Sequence, residues 1–281
     1  MSTQRARVAR VFDYIQRNLD EKLSVERLGR VAHWSKHHFH RQFSIGIGIG
    51  AAKLVQLLRL KRASFRLVFA ERASITAIAL DAGFANAESF ARAFRNAFGQ
   101  SPRQFRSEPG WRVWRHKYQF LRNIGQQMNP VEIVNFVETK VAALEHRGSP
   151  DDVYNTTRRF IEWRRANGVS PATSRTYGIH YDHHESVRPE DYRIDICATI
   201  DADVKPNPQG VVTKVISGGR CARIRHLGSR EHIDSAGFLF REWLPASGET
   251  LRDFPVFFHY VNVGPDVRDH EMITDVYLPL K

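Results

Sequence analysis

The chain has 281 residues, 42% apolar and 26% charged, enough for one large or two ordinary domains with a sizeable core. No apolar run approaches about 18 residues, so no membrane-spanning helix is expected, and Met1-Ser2-Thr3-Gln4-Arg5 lacks the apolar run of a signal peptide. The net charge of +12 is segregated: residues 1–127 carry 23 Lys+Arg against 8 Asp+Glu, whereas 128–281 carry 19 against 22, which points the first half toward a polyanion.

In chain order, residues 5–20 place Val8, Val11, Phe12, Ile15 and Leu19 at helical spacing. Ser24 is positioned to cap a second helix with Val25, Leu28, Val31 and Ala32 inward. Ser35 is positioned to cap a third over 36–44, pinned by Phe39 and Phe43. Two short helices joined by a tight turn, the second polar and basic outside, predict a helix-turn-helix. A longer helix over 51–69 carries Arg59, Lys61, Arg62 and Arg66 on its basic part. The pattern then recurs: Ser74 caps a helix over 75–82, Gly83 sits in the turn, and Phe90, Phe94 and Phe98 lie four apart on the next helix. Gly99 ends that helix and Pro102 starts another.

Three segments, Ile75-Thr-Ala-Ile-Ala-Leu-Asp-Ala-Gly-Phe84, Ser89-Phe90-Ala-Arg92-Ala-Phe94-Arg95 and Gly99-Gln-Ser-Pro102-Arg-Gln-Phe-Arg106, strongly resemble the signature of the AraC/XylS regulators. The first unit departs from it: Ile45-Gly-Ile-Gly-Ile-Gly50 is rich in glycine and lacks a proline, and Leu54 stands where a tyrosine is usual. The resemblance implies a transcription regulator, read here as an activator, whose two recognition helices enter successive major grooves about 34 Å apart. It places Lys36, His37, His40 and Arg41 of one helix, and Ala87, Glu88, Ser89 and Arg92 of the other, against double-stranded promoter DNA, with Asn86 at a phosphate. Arg41 and Arg92 are the guanine-reading candidates, and a carboxylate such as Glu88 is tolerated best where it accepts from cytosine N4. His37, His38 and His40 lack a convincing fourth ligand, so neither metal nor cofactor is expected. RNA polymerase is an implied partner, and the expected location is the cytoplasm, at the nucleoid.

After a junction at 109–128 the chain repeats itself at an offset of 80: Lys140–Ser149 matches Arg220–Ser229, and Phe160, Glu162 and Trp163 match Phe240, Glu242 and Trp243. Tyr177 matches Phe257, and Asp195-Ile196 matches Asp275-Val276. Each copy, about 131–200 and 211–280, reads strand-strand-helix-strand-strand. The expected architecture is an all-α double helix-turn-helix domain (1–108), a linker (109–128) and an α+β domain (129–281) with pseudo-two-fold symmetry, its two sheets meeting at a groove. Cys197 and Cys221, in apolar runs, are expected as buried thiols.

Val141-Ala-Ala-Leu-Glu-His-Arg-Gly148, Tyr177-Gly-Ile-His-Tyr-Asp182 and Thr274-Asp-Val-Tyr-Leu-Pro-Leu280 resemble the GyrI-like effector-binding fold, in a domain order similar to that of Rob-like regulators. The resemblance implies a small amphiphilic effector, aromatic or cationic, in a hydrophobic groove with a buried acid. The candidates are the aromatics Trp163, Tyr177, Tyr181, Trp243, Phe258 and Tyr260, and the acids Glu185, Glu190 and Glu271, among which spacing does not choose. Two other readings of this half are a small-molecule hydrolase and a protein-binding module of gyrase-inhibitor type. His180, His183 and His184 have no Ser or Cys partner in the sequence pattern, which disfavours the first.

Overall fold

Helices α1 (Thr3–Arg17), α2 (Val25–Ala32) and α3 (Lys36–Ile47) open the computed structural model, which describes residues 3–121, 129–182 and 187–281. Its contacts divide the chain into residues 1–127, with which 268–270 group, and the remainder. In α1, Val8, Val11, Phe12 and Ile15 are buried, as their spacing predicts. Ser24 and Ser35 each accept a hydrogen bond from the backbone N–H three residues on. The turn between α2 and α3 passes through His33 at φ 53°, a left-handed conformation rare outside glycine and asparagine. Helix α3 runs three residues beyond the expected 44, because Ile47 is buried and Gly48, at φ 88°, supplies the left-handed cap.

Helix α4 (Ala51–Phe69) leads to the second helix-turn-helix, α5 (Ile75–Asp81) and α6 (Ala87–Phe98), followed by α7 (Pro102–Ser107). Between α5 and α6, Gly83 sits at φ 75°, and a Cβ there would lie 2.7 Å from Arg59 Nη1, so glycine is required on two counts. The arginines of α4 turn out to be structural. Arg59 donates to the carbonyls of Leu19 (2.9 Å) and Glu21 (3.0 Å). Arg62 pairs with Asp20 (2.5 Å) and donates to the Asp81 carbonyl, while Arg66 pairs with the Asp81 carboxylate. The basic stripe of the connecting helix therefore staples the two helix-turn-helix units to it. The first part of the expected linker is also structured: Trp111, Trp114 and Tyr118, at helical spacing, form the buried face of α8 (Trp111–Tyr118). They pack on Phe65, Phe98 and Phe105, and the Tyr118 hydroxyl donates to the Leu57 carbonyl at 2.8 Å.

The second unit is a single eight-stranded antiparallel sheet rather than two sheets. Its strands are β1 (Val131–Phe136), β2 (Thr139–Arg147), β3 (Thr176–His180), β4 (Arg193–Thr199), β5 (Val212–Ile216), β6 (Gly219–Leu227), β7 (Val256–Tyr260) and β8 (Ile273–Pro279). The order is β1-β6-β8-β7-β3-β4-β2-β5. The two copies exchange their first strands, β1 pairing with β6 and β5 with β2, and the sheet closes through β3 and β7. There Gly178 pairs with Phe258, its own mate at the offset of 80, so the pseudo-two-fold axis passes through that pair. Helix α9 (Val153–Ala166) and its counterpart cover one face of this sheet.

The counterpart is not a continuous α-helix. It comprises α10 (Ser235–Phe238), a π turn (Leu239–Trp243) and α11 (Leu244–Ser247). Pro245, which has no N–H, sits in the first turn of α11, where the missing donor is tolerated. The wider turn shifts the buried face by one residue: Phe160 is 1% exposed, whereas its mate Phe240 is 41% exposed and Leu239 takes the inward place. Both cysteines are free and buried, as their apolar surroundings predict.

Candidate nucleic-acid interface and ligand groove

In the first unit, the inward phenylalanines decide which residues face out. Phe39 and Phe43 are buried and stacked at 5.1 Å, which leaves Lys36, His37, His40 and Arg41 exposed on α3. Lys36 is held by Glu26 at 2.7 Å, and this hydrogen bond draws the Glu26 carboxyl down to about 2. Arg41 has no ion-pair or hydrogen-bond partner among the described residues. In α6, Phe90, Phe94 and Phe98 are buried and leave Glu88 and Arg92 exposed, while Ala87 and Ser89 are half-buried.

Asn86 caps α6: its Oδ1 accepts from the Ser89 N–H at 2.8 Å, and the Ser89 hydroxyl donates back to the Asn86 carbonyl at 2.9 Å. These two residues therefore order the start of the helix, with the Asn86 Nδ2 left over for an outside acceptor. Arg92, like Arg41, is without a partner among the described residues. Arg95, exposed one turn further along, was not singled out from the sequence although its spacing to Arg92 puts it on the same side.

In the second unit, strand alternation sorts the predicted ligand residues onto two faces. Trp163, 3% exposed, stacks on Phe160 against Ala142, Leu144, Ile196 and Ala198. Trp243, Phe258 and Tyr260 belong to the matching cluster with Ile224, Val276 and Leu278. These four are the helix-covered core and do not reach the other face, which corrects their expected place in the groove. Tyr260 also explains Gly178, where a Cβ would meet the Tyr260 hydroxyl at 2.8 Å. Glu190 and Glu271 lie in short 3₁₀ turns and are exposed, Glu190 pairing with Arg188 at 3.3 Å. Neither is a buried acid. Glu185, His183 and His184 lie outside the described residues.

The opposite face holds a groove of about 300 Å³, near the lower size of small-molecule sites. Val134 and Phe136 of β1 form one wall. Tyr177, His259 and Tyr277 supply aromatic surface, the Tyr177 and His259 rings stacking at 4.8 Å. Arg175, Arg223 and Asp275 supply charge. Burial pushes the Tyr177 phenol up to about 12 and lowers the His259 imidazole, so both are neutral at pH 7.

The groove's acid is Asp275, 2% exposed, and it takes a bidentate pair from Arg225, with Nε to Oδ1 at 2.7 Å and Nη2 to Oδ2 at 2.8 Å. Its mate Asp195, 0% exposed, accepts from Lys214 Nζ at 2.6 Å and from the Tyr181 hydroxyl at 2.7 Å, all on Oδ2. Burial opposes the Lys214 charge, yet this hydrogen bond and the Asp195 charge leave it raised. Burial and the bond to Asp195 likewise hold Tyr181 up at about 12. Thus Tyr177 and Tyr181 share this face with the repeat-paired aspartates Asp195 and Asp275. The signal for them was present: each is a lone carboxylate within an apolar strand, Ile194-Asp195-Ile196 and Thr274-Asp275-Val276.

A double helix-turn-helix whose second helices each carry an exposed arginine without a partner among the described residues, followed in the chain by an α+β unit with a lined groove, defines an effector-binding regulator architecture. Residues 129–281 match the GyrI-like small molecule binding domain and residues 28–108 a helix-turn-helix domain, so the chain belongs to the GyrI-like family. It is similar to the probable transcriptional regulator YgiV of Escherichia coli K12, at 39% identity over 152 residues, 53% of this chain and 95% of that one. It is also similar to the HTH-type transcriptional regulator SAS0078 of Staphylococcus aureus MSSA476, at 34% identity over 102 residues, 36% of this chain and 14% of that one. The cryo-EM structure of the EcmrR–DNA complex in EcmrR-RPo aligns at 13% identity with a TM-score of 0.46, covering 88% of this chain and 85% of that one.

Proposed function

We propose that this chain regulates transcription by reading two stretches of double-stranded promoter DNA with α3 and α6, acting on RNA polymerase, and that the groove of its second unit receives a small amphiphilic aromatic effector. The observation that carries the reading is the pair Arg41 and Arg92, each exposed and without a partner among the described residues, on the outward side of its recognition helix within a half of net charge +15. An arginine placed there reaches guanine O6 and N7 with two donors. Lys36, His37, His40, Glu88 and the Asn86 amide flank these two, with Ala87 and Ser89 close-packed beside them at the start of α6. The transcriptional regulators to which the chain is similar support the same reading.

An effector regulates only through unequal affinity for two states of the protein. The test is fluorescence anisotropy on labelled promoter fragments at two salt concentrations. Sequence-selective binding, weakened by about 1–3 kcal/mol in either Arg41→Ala or Arg92→Ala, is expected. Weak binding with no preferred sequence, unaltered by both substitutions, would refute the reading.

A further inference from the structure

The charges around the groove do not fit a cation. Among the described residues the two buried carboxylates on that face are repeat mates, and each already has a cation from this chain. Asp275 has both oxygens on Arg225, and Asp195 holds Lys214 under the Tyr181 ring, Nζ lying 5.6 Å from the ring centre. The Lys214 arrangement, an ammonium between a carboxylate and an aromatic face, is what a cationic ligand would form. It is internal in one half only because the two exchanged strands differ in sequence at that position. Lys214 of β5 stands opposite Val141, and at the same register of the other half Val134 of β1 stands opposite Cys221. Where the first half carries a lysine, the open groove has an apolar wall.

Of the groove's remaining charges, Arg223 is held by Glu132. His259 is kept neutral by burial, although Asp275 works the other way. That leaves Arg175, at the start of β3, exposed and with no ion-pair partner among the described residues. Its charge is felt by both Tyr177 and His259.

Resting on the effector reading above, we infer that the groove selects an aromatic anion: a planar ring against Tyr177, Tyr277 and Phe136, with its carboxylate or sulfonate on Arg175. A bidentate guanidinium–carboxylate pair at the mouth of an apolar groove gives both affinity and orientation.

The experiment is isothermal titration calorimetry of the full chain with three probes on one ring system: 2-naphthoate, 2-naphthylmethanol and 2-naphthylmethylammonium. The expected order places the carboxylate at least tenfold tighter than the alcohol and the ammonium weakest. Arg175→Gln is expected to cost the carboxylate about tenfold while moving the alcohol less than twofold, and Arg175→Glu to favour the ammonium over the carboxylate. Tighter binding of the ammonium by the unaltered chain, or a carboxylate affinity indifferent to both substitutions, overturns the inference and leaves the effector reading standing. Failure of all three probes to bind removes the effector reading, and the inference with it.

Discussion

Single side chains in this molecule are explained by the neighbour that would be left unpaired without them. Asp195 is fully buried and its charge is met by Lys214, so Lys214→Met leaves an uncompensated carboxylate. Loss of a buried partner costs about 3 kcal/mol, and we expect a drop of that order in urea unfolding, largely recovered when Asp195→Asn is added. Gly178→Ala drives a methyl into the Tyr260 hydroxyl and should destabilise by about 1–3 kcal/mol. The same substitution in a Tyr260→Phe background should cost measurably less.

His226 and His259 are both lowered by burial from 6.5. Each is neutral when folded and takes up a proton more readily when unfolded, so stability is full above about pH 6.5 and falls as pH drops toward the lowered folded values. Thermal melts between pH 7 and pH 5 should show this decline, with a shallower slope in His259→Gln. These residues differ in legibility. The pairing of His146 with His226 follows from the repeat, and each ring donates its Nε2–H to the carbonyl three residues on, that of Ser149 and of Ser229. The aspartates Asp195 and Asp275 are marked in the sequence as lone carboxylates within apolar strands, but their partners Lys214 and Arg225 appear only in space.

At the scale of elements, caps and periodicity were enough for the helical half. Ser24, Ser35, Ser74 and Asn86 all cap where a polar residue precedes an apolar helical face. What the pattern does not reveal is which partner satisfies a charge. The arginines of α4 lie on a polar stripe, and only the positions of Asp20 and Asp81 in space show that they staple rather than face DNA. Asp81→Ala should therefore loosen the α4–α5 packing, read as faster amide exchange over 75–81, without altering the outward residues of α6.

In the second half the offset of 80 gives the strand-strand-helix-strand-strand order of both copies, since each copy must alternate to cover one face. It did not show the exchange of first strands, because β1 is equally able by alternation to pair with β2 or with β6. Nor did it show the π turn at Leu239–Trp243, just ahead of Pro245. Exchange brings Val134 into the second half and Lys214 into the first, so equivalent positions of the repeated domain carry an apolar and a cationic side chain.

Over the whole molecule, charge is the most readable property. A half at +15 beside a half at −3 marks which part meets a polyanion, and the DNA affinity of the full chain should fall steeply with salt. The central claim is that α3 and α6 each read bases. It is tested most directly by selecting bound genomic fragments with the unaltered chain, Arg41→Ala and Arg92→Ala, and comparing the recovered sites base by base. Two conserved blocks about one helical turn apart are predicted, one losing its preference in Arg41→Ala and the other in Arg92→Ala. A site with a single block, or two blocks that both substitutions leave intact, would contradict the account.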